Sequence, residues 1–223
     1  MGKVENFNAE MIRLEKISEC TIGLSAIHLP TSSSLGYRDD KAFLLCSTYK
    51  VPIAAYLLKK VERNELSLAQ NCQITEYDLR PGVTSTLTQL NYSTPVTLSV
   101  FNLLQFMLQE SCNTVSDILL RLIGGPNEVM VFLREAGITD LHIDRFTLEI
   151  IAALDGVELP REYLQFTLDK YKSLENRVSV EEKQAAREKF KSDSKDRGTP
   201  RAMSRLLSMI QTGNLLASGY AEL

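Results

Sequence analysis

The chain changes character at one junction, near residue 47. Before it, apolar residues come in short runs at 20–29 and around 35–38, separated by a polar turn at 30–34, the pattern of short strands. Ahead of these, residues 8–19 read as an amphipathic helix carrying Met11, Ile12, Leu14 and Ile17. From Thr48 to about Gln211 the pattern is nearly all helical. A small sheet lobe therefore leads into a helical lobe, and Ser47 lies at the seam, where ligand clefts tend to form.

That seam reads Ser47-Thr48-Tyr49-Lys50, where the apolar run Phe43, Leu44, Leu45 meets a helix. Residues three apart share a helix face, so the Lys50 amine can reach Ser47 Oγ and take its proton. The Ser47 N–H, unpaired at a helix start, can stabilise an oxyanion. The spacing recurs at Ser192-Asp193-Ser194-Lys195, inside a solvated run of charge; apolar flanks on both sides set the first copy apart. A plain helix N-cap at Ser47, with Lys50 on the surface, is the alternative. A second element, Ser111-Cys112-Asn113, lies between apolar helices at 100–108 and 114–123. It puts a hydroxyl and an amide toward a cleft, or ends one helix and caps the next.

Together these motifs resemble the class A serine β-lactamases and their penicillin-binding relatives, whose Ser-x-x-Lys, Ser-Asp-Asn and Lys-Thr-Gly motifs line one active site. The similarity extends to Val61 through Leu68, to Ile123-Gly124-Gly125-Pro126, to Asp144-Arg145 and to Asp196 through Met203, so that it spans residues 12–216 around one long insertion. The resemblance implies an α/β (α+β) β-lactamase/transpeptidase-like fold with a small antiparallel sheet lobe. Residues 1–50 would form its N-terminal part, 51–212 the helical lobe with an Ω-loop insertion at 150–195, and 213–223 the start of a return to the sheet. It implies Ser47 as acylated nucleophile, Lys50 as proton acceptor, Ser111 as proton relay to the departing nitrogen, and Asn113 as binder of the substrate amide. The expected activity is opening of β-lactam rings through an acyl-serine. A D,D-peptidase or a non-hydrolytic β-lactam-binding sensor is the alternative.

Three departures bear on separate steps. The resemblance puts a deacylation Glu two residues after Arg145, but Thr147 stands there, and a hydroxyl is a poor base near neutral pH. Glu149, two residues on, either replaces that base through a shifted backbone or is a solvated loop residue. Cys112 takes the place of an Asp that braces the site, predicting a less rigid cleft. No Lys-Thr-Gly strand is legible: Gln211-Thr212-Gly213 follows a helical pattern, and Gly213 reads as its C′ glycine. The expectation is poor β-lactam binding and a truncated gene product or one piece of a longer protein.

The insertion is charged and helical at 160–171 and 180–190, with Glu181, Glu182, Lys183, Arg187, Glu188 and Lys189 forming a solvated face that covers or reshapes the cleft mouth. Arg145 and Asp196, at its two ends, are expected to pair. The connection 78–95 reads as a cleft rim, with Tyr77 or Tyr92 as an aromatic wall or as plain exposed loop residues.

With 223 residues, 44% hydrophobic, the chain can bury a core, and its net charge of -3 gives no basic field for nucleic acid. Neither a signal-like start nor an apolar run of about 18 residues is present, so no membrane partner is expected. The expected partner is a small-molecule β-lactam bound by a monomer. Periplasmic or secreted location follows from the resemblance alone. The four cysteines (20, 46, 72 and 112) lack zinc-site spacing, and no cofactor or metal is expected. Free buried thiols or an approach of Cys46 to Cys112 both fit. His28 and His142 are too far apart to support a Ser-His-Asp triad.

Overall fold

A computed structural model describes residues 3–82 and 93–221. Helix α1 (Lys3–Ser18) leads into the antiparallel hairpin β1 (Leu24–His28) and β2 (Ser33–Tyr37), in register from Leu24↔Tyr37 to His28↔Ser33. The Glu15 carboxylate ties the helix to the hairpin by accepting from the Ile22 N–H (2.9 Å), Tyr37 Oη (3.0 Å) and the Arg38 guanidinium (3.0 Å). Strand β3 (Phe43–Leu44) pairs antiparallel with β6 (Arg197–Gly198), and a 3-10 turn at Cys46–Tyr49 follows it into α2 (Lys50–Glu62).

Helix α2 carries the core. Ile53 and Leu57 are fully buried on it, and Pro52 sits in its first turn, where an amide N–H would have no intrahelical acceptor. Around it pack α3 (Val100–Gln109), α4 (Asn113–Leu122) and α5 (Pro126–Glu135), which contribute Leu103, Met107, Val115, Leu119, Val129 and Leu133. Ser99 caps α3 through the Asn102 N–H, and Gly125, with φ of 91°, turns the chain into Pro126. The expectation of near-continuous helix after Thr48 is corrected by a second antiparallel hairpin, β4 (Asn71–Ile74) with β5 (Val96–Ser99). Its strands are short and half polar, and only Ile74 is fully buried, so no apolar period marked them.

The insertion folds around its own small cluster. Helix α6 (Thr147–Asp155) ends at Gly156, whose φ of 72° is left-handed. Beyond it come a 3-10 turn at Tyr163–Gln165, α7 (Leu168–Glu175) and α8 (Val180–Ser192). Helix therefore begins later than the expected residue 160. Leu148, Ala152, Val157 and the fully buried Tyr171 form the cluster, and Ser179 with Glu182 makes a capping box on α8. Helix α9 (Pro200–Gln211) packs against β1, joined by Ser25 Oγ and Ser204 Oγ at 2.7 Å. Gly213, with φ of 73°, lies just past the end of α9, and the short α10 (Ser218–Ala221) follows.

Candidate active site

Ser47 emerges from the turn between β3 and α2 as an exposed residue, one position after Cys46, whose φ of 46° is left-handed. Among the described residues no acceptor takes the Ser47 N–H, and its hydroxyl makes no hydrogen bond. The backbone therefore turns sharply to present a free hydroxyl and a free amide donor at one point.

Lys50, one helical turn on, is only 2% exposed. Its ammonium donates to Ser111 Oγ (2.9 Å), to the Ser111 carbonyl and to Asn113 Oδ1 (3.2 Å). Ser111 reaches it because its own φ of 53° is left-handed, turning hydroxyl and carbonyl the same way between α3 and α4. Burial brings the Lys50 pKa down to about 8, with the nearby Asp117 carboxylate working in the opposite direction. A lysine near pH 8 is neutral in about one molecule in ten at pH 7, enough to accept a proton.

The sequence-derived residues thus split between two groupings. Lys50, Ser111 and Asn113 form one hydrogen-bonded cluster. Ser47, Asn113 and Thr147 line one cavity of about 180 Å³, with Cys46, Tyr49 and Asp196. Asn113 belongs to both. Its Nδ2 donates to the Pro81 carbonyl at 3.3 Å and lies 2.8 Å from where a Cβ on Gly82 would be. That contact and a φ of 109° favour glycine at position 82.

Glu149 takes neither place. Its carboxylate accepts from the Phe146 N–H at 2.8 Å, closing the first turn of α6, and it interacts with Tyr163, whose pKa burial raises. Thr147, on the cavity wall, shares a 2.5 Å hydrogen bond with the Tyr49 hydroxyl. Burial raises the Tyr49 pKa as well, so that phenol stays protonated. That side of the cavity thus presents a hydroxyl already engaged.

Cys112 is fully buried, and its carbonyl accepts from Ser116 N (3.1 Å) and Oγ (2.8 Å). The brace expected at that position is supplied by Asp117, five residues on, which the sequence reading missed. Its carboxylate accepts from the Thr147 N–H (2.6 Å), the Leu148 N–H (3.2 Å) and Arg80 Nε (2.7 Å), with Arg80 and Asp117 only 1% and 2% exposed. The sequence signal was there: a lone Asp in the apolar run Val115 to Leu122, since a carboxylate is rarely buried without a partner.

Arg145 and Asp196 pair as the sequence suggested, Nε to Oδ2 at 2.5 Å, and Arg145 also meets Asp193 at 3.0 Å. Asp196 Oδ1 accepts from the Asp144 N–H (2.8 Å) and the Arg145 N–H (3.2 Å), and the Asp196 N–H returns to Asp144 Oδ2 (2.8 Å). This clasp reaches the strand that leads to Ser47 through the Leu45 N–H to Asp196 carbonyl bond at 3.0 Å. The solvated face expected on α8 has one exception, Phe190, which is buried, stacks under Arg145 (5.3 Å to the ring) and enters the Ser47 cavity.

Cys46 is exposed, and both it and Cys112 are free thiols. Tyr77 is 44% exposed, and Tyr92 lies outside the described residues. Among the described residues no cluster able to hold a metal occurs, and no helix is long and apolar enough to cross a membrane.

A model of the β-lactamase enzyme family matches residues 6–222. Among curated relatives, β-lactamase SME-1 of Serratia marcescens is 26% identical over 212 residues, covering 92% of this chain and 56% of the relative. β-Lactamase OXY-2 of Klebsiella oxytoca is 33% identical over 157 residues, 70% of this chain and 53% of the relative. The chain thus spans little more than half the length of these relatives. A β-lactamase from Burkholderia vietnamiensis superposes with a TM-score of 0.71 at 26% identity, covering 100% of this chain and 66% of that one. One from Chitinophaga pinensis shares the fold at a TM-score of 0.71 and 19% identity, over 97% and 67% of the two chains. With the family match running nearly end to end and the fold shared, the chain belongs to the β-lactamase enzyme family, among its class A serine β-lactamase-like members.

Proposed function

We propose that this protein opens β-lactam rings by acylation of Ser47 and hydrolyses the resulting ester slowly. The observation that carries this reading is the desolvated Lys50 amine, hydrogen-bonded to Ser111 Oγ and to Asn113, which in turn lines one cavity with Ser47. In the acylation step Ser47 Oγ bonds to the lactam carbonyl carbon while its proton passes to neutral Lys50. The Ser47 N–H stabilises the oxyanion, and Ser111, reprotonated from Lys50, delivers a proton to the nitrogen as the C–N bond breaks. Asn113, fixed by Lys50 and Pro81, is oriented to bind the substrate amide.

Slow hydrolysis follows from the other wall. Thr147 is bound to Tyr49, Glu149 to the start of α6 and Asp196 to Arg145, which leaves no unengaged carboxylate to activate water there. Intact-mass spectrometry of the full-length protein after benzylpenicillin, run beside nitrocefin turnover, tests both halves. A Ser47 adduct that decays over minutes with slow nitrocefin hydrolysis is expected. An adduct that never decays favours the D,D-peptidase or sensor reading, which the same engaged Thr147 supports, and absence of any Ser47 adduct overturns acylation itself. The proposal extends to a monomer acting in the periplasm or outside the cell, as inferred from the family.

A further inference from the structure

We propose that the slot beside Ser47 is an acyl-tail subsite, taking acyl groups that end in an unbranched aliphatic chain or a single phenyl ring. The inference rests on the acyl-Ser47 reading above and names which acyl donors that serine prefers. From Ser47 the cavity runs between Leu44 on β3, Ile150, Ile151 and Leu154 on α6, and Phe190 on α8. The last is supplied by the insertion and is held in place under the Arg145 guanidinium.

The polar groups on this wall are already committed. Thr147 is bonded to Tyr49, and Asp196 to Arg145 and to two backbone N–H groups. Ordered water needs two to four polar partners, and the stretch formed by Ile150, Ile151, Leu154 and Phe190 has none to offer. Apolar cavities of about 150 Å³ lined by such residues stay dry and accept benzene. The whole cavity, with Ser47 and Asn113 at one part of it, is about 180 Å³, room for a hexanoyl or phenylacetyl tail along its apolar side. An acyl donor so shaped leaves its carbonyl at Ser47 Oγ and its tail out of water, with each buried methylene worth roughly a fourfold preference.

The test uses p-nitrophenyl acetate, butyrate, hexanoate and decanoate with the full-length protein. Ser47 Oγ bonds to the ester carbonyl carbon, p-nitrophenolate leaves with the electron pair of the broken C–O bond, and the serine proton goes to neutral Lys50. The nitrophenolate burst gives the acylation rate, and peptide mapping locates the adduct. Hexanoate is expected to acylate Ser47 at least tenfold faster than acetate, and Ile151→Trp, which fills the slot, to bring that ratio near one. Should Ile151→Trp lose its fold by circular dichroism, Leu154→Gln reads the same ratio by putting an amide on the wall. Equal rates for acetate and hexanoate at Ser47 overturn the subsite and leave acyl-Ser47 standing. No adduct from any ester overturns both, and an adduct on the exposed neighbouring Cys46 in place of Ser47 does the same.

Discussion

The surroundings of Ser47 are of two unlike kinds. On one side Asn113, which lines the cavity, joins Lys50 and Ser111 in hydrogen bonds around an amine that burial has made more acidic. The other, built from α6 and α8, carries Thr147, Ile150, Ile151 and Phe190, with its one hydroxyl engaged by Tyr49. Forming an ester and breaking it demand different things. Acylation needs a nucleophile, a base and a proton path within one helical turn, whereas hydrolysis needs a water and a carboxylate to deprotonate it. Under the proposed reading this chain supplies the first set and fills the place of the second with methyl groups and a ring.

The largest effect should come from the first side. Lys50→Met is expected to slow Ser47 acylation about 10³-fold, within the range for loss of a general base, measured by stopped-flow with nitrocefin. In the unmodified protein, a folded pKa near 8 makes acylation climb about tenfold per pH unit below that value and level off above it. The sign follows from the neutral amine being the reactive form. A flat profile from pH 6 to 9 would remove Lys50 as the base.

Converting the second side toward the first is the sharper experiment. Thr147→Glu should speed decay of the acyl-enzyme by roughly 10²-fold, while the loss of the Tyr49 hydroxyl bond lowers stability. An unchanged adduct lifetime would mean that Ile151 and Phe190 exclude the water regardless of the base. Arg145→Ala should cost about 3 kcal/mol in urea unfolding, since it leaves the nearly buried Asp196 carboxylate without its cation. The smallest effect is expected at Glu149→Ala, about 1 kcal/mol from a lost helix-start contact and no change in adduct lifetime. A tenfold longer lifetime would instead return Glu149 to catalysis.

How legible this was depends on whether a feature is local. The Ser47-x-x-Lys50 spacing was readable because both residues sit on one turn, and apolar flanks set it apart from Ser192 and Lys195, but it could not show that the Lys50 amine is hydrogen-bonded to Ser111 and Asn113 and not to Ser47. The Arg145 to Asp196 clasp was readable only through family resemblance, because 51 positions separate the partners. Strands β4 and β5 escaped because each is four residues long and half polar, so pairing with each other, not periodicity, defines them. Phe190 was hidden among charges on a surface helix, and its burial comes from packing across to α6 and Arg145. Glu149 remained ambiguous in sequence because a helix-start Glu and a catalytic Glu look alike until the backbone shows what the carboxylate faces.

The doubled Asp144 and Asp196 contact closes the inserted segment at its root, and β3 with β6 fastens that root to the strand leading into Ser47. The stretch between those two aspartates that neither holds the clasp nor lines the cavity, unlike Arg145, Thr147 and Phe190, is consequently the part whose exchange should leave the serine in place. Swapping in a shorter segment between the same anchors should retune which molecules are admitted without rebuilding the reacting groups, which makes this joint a natural place for both evolution and engineering to act.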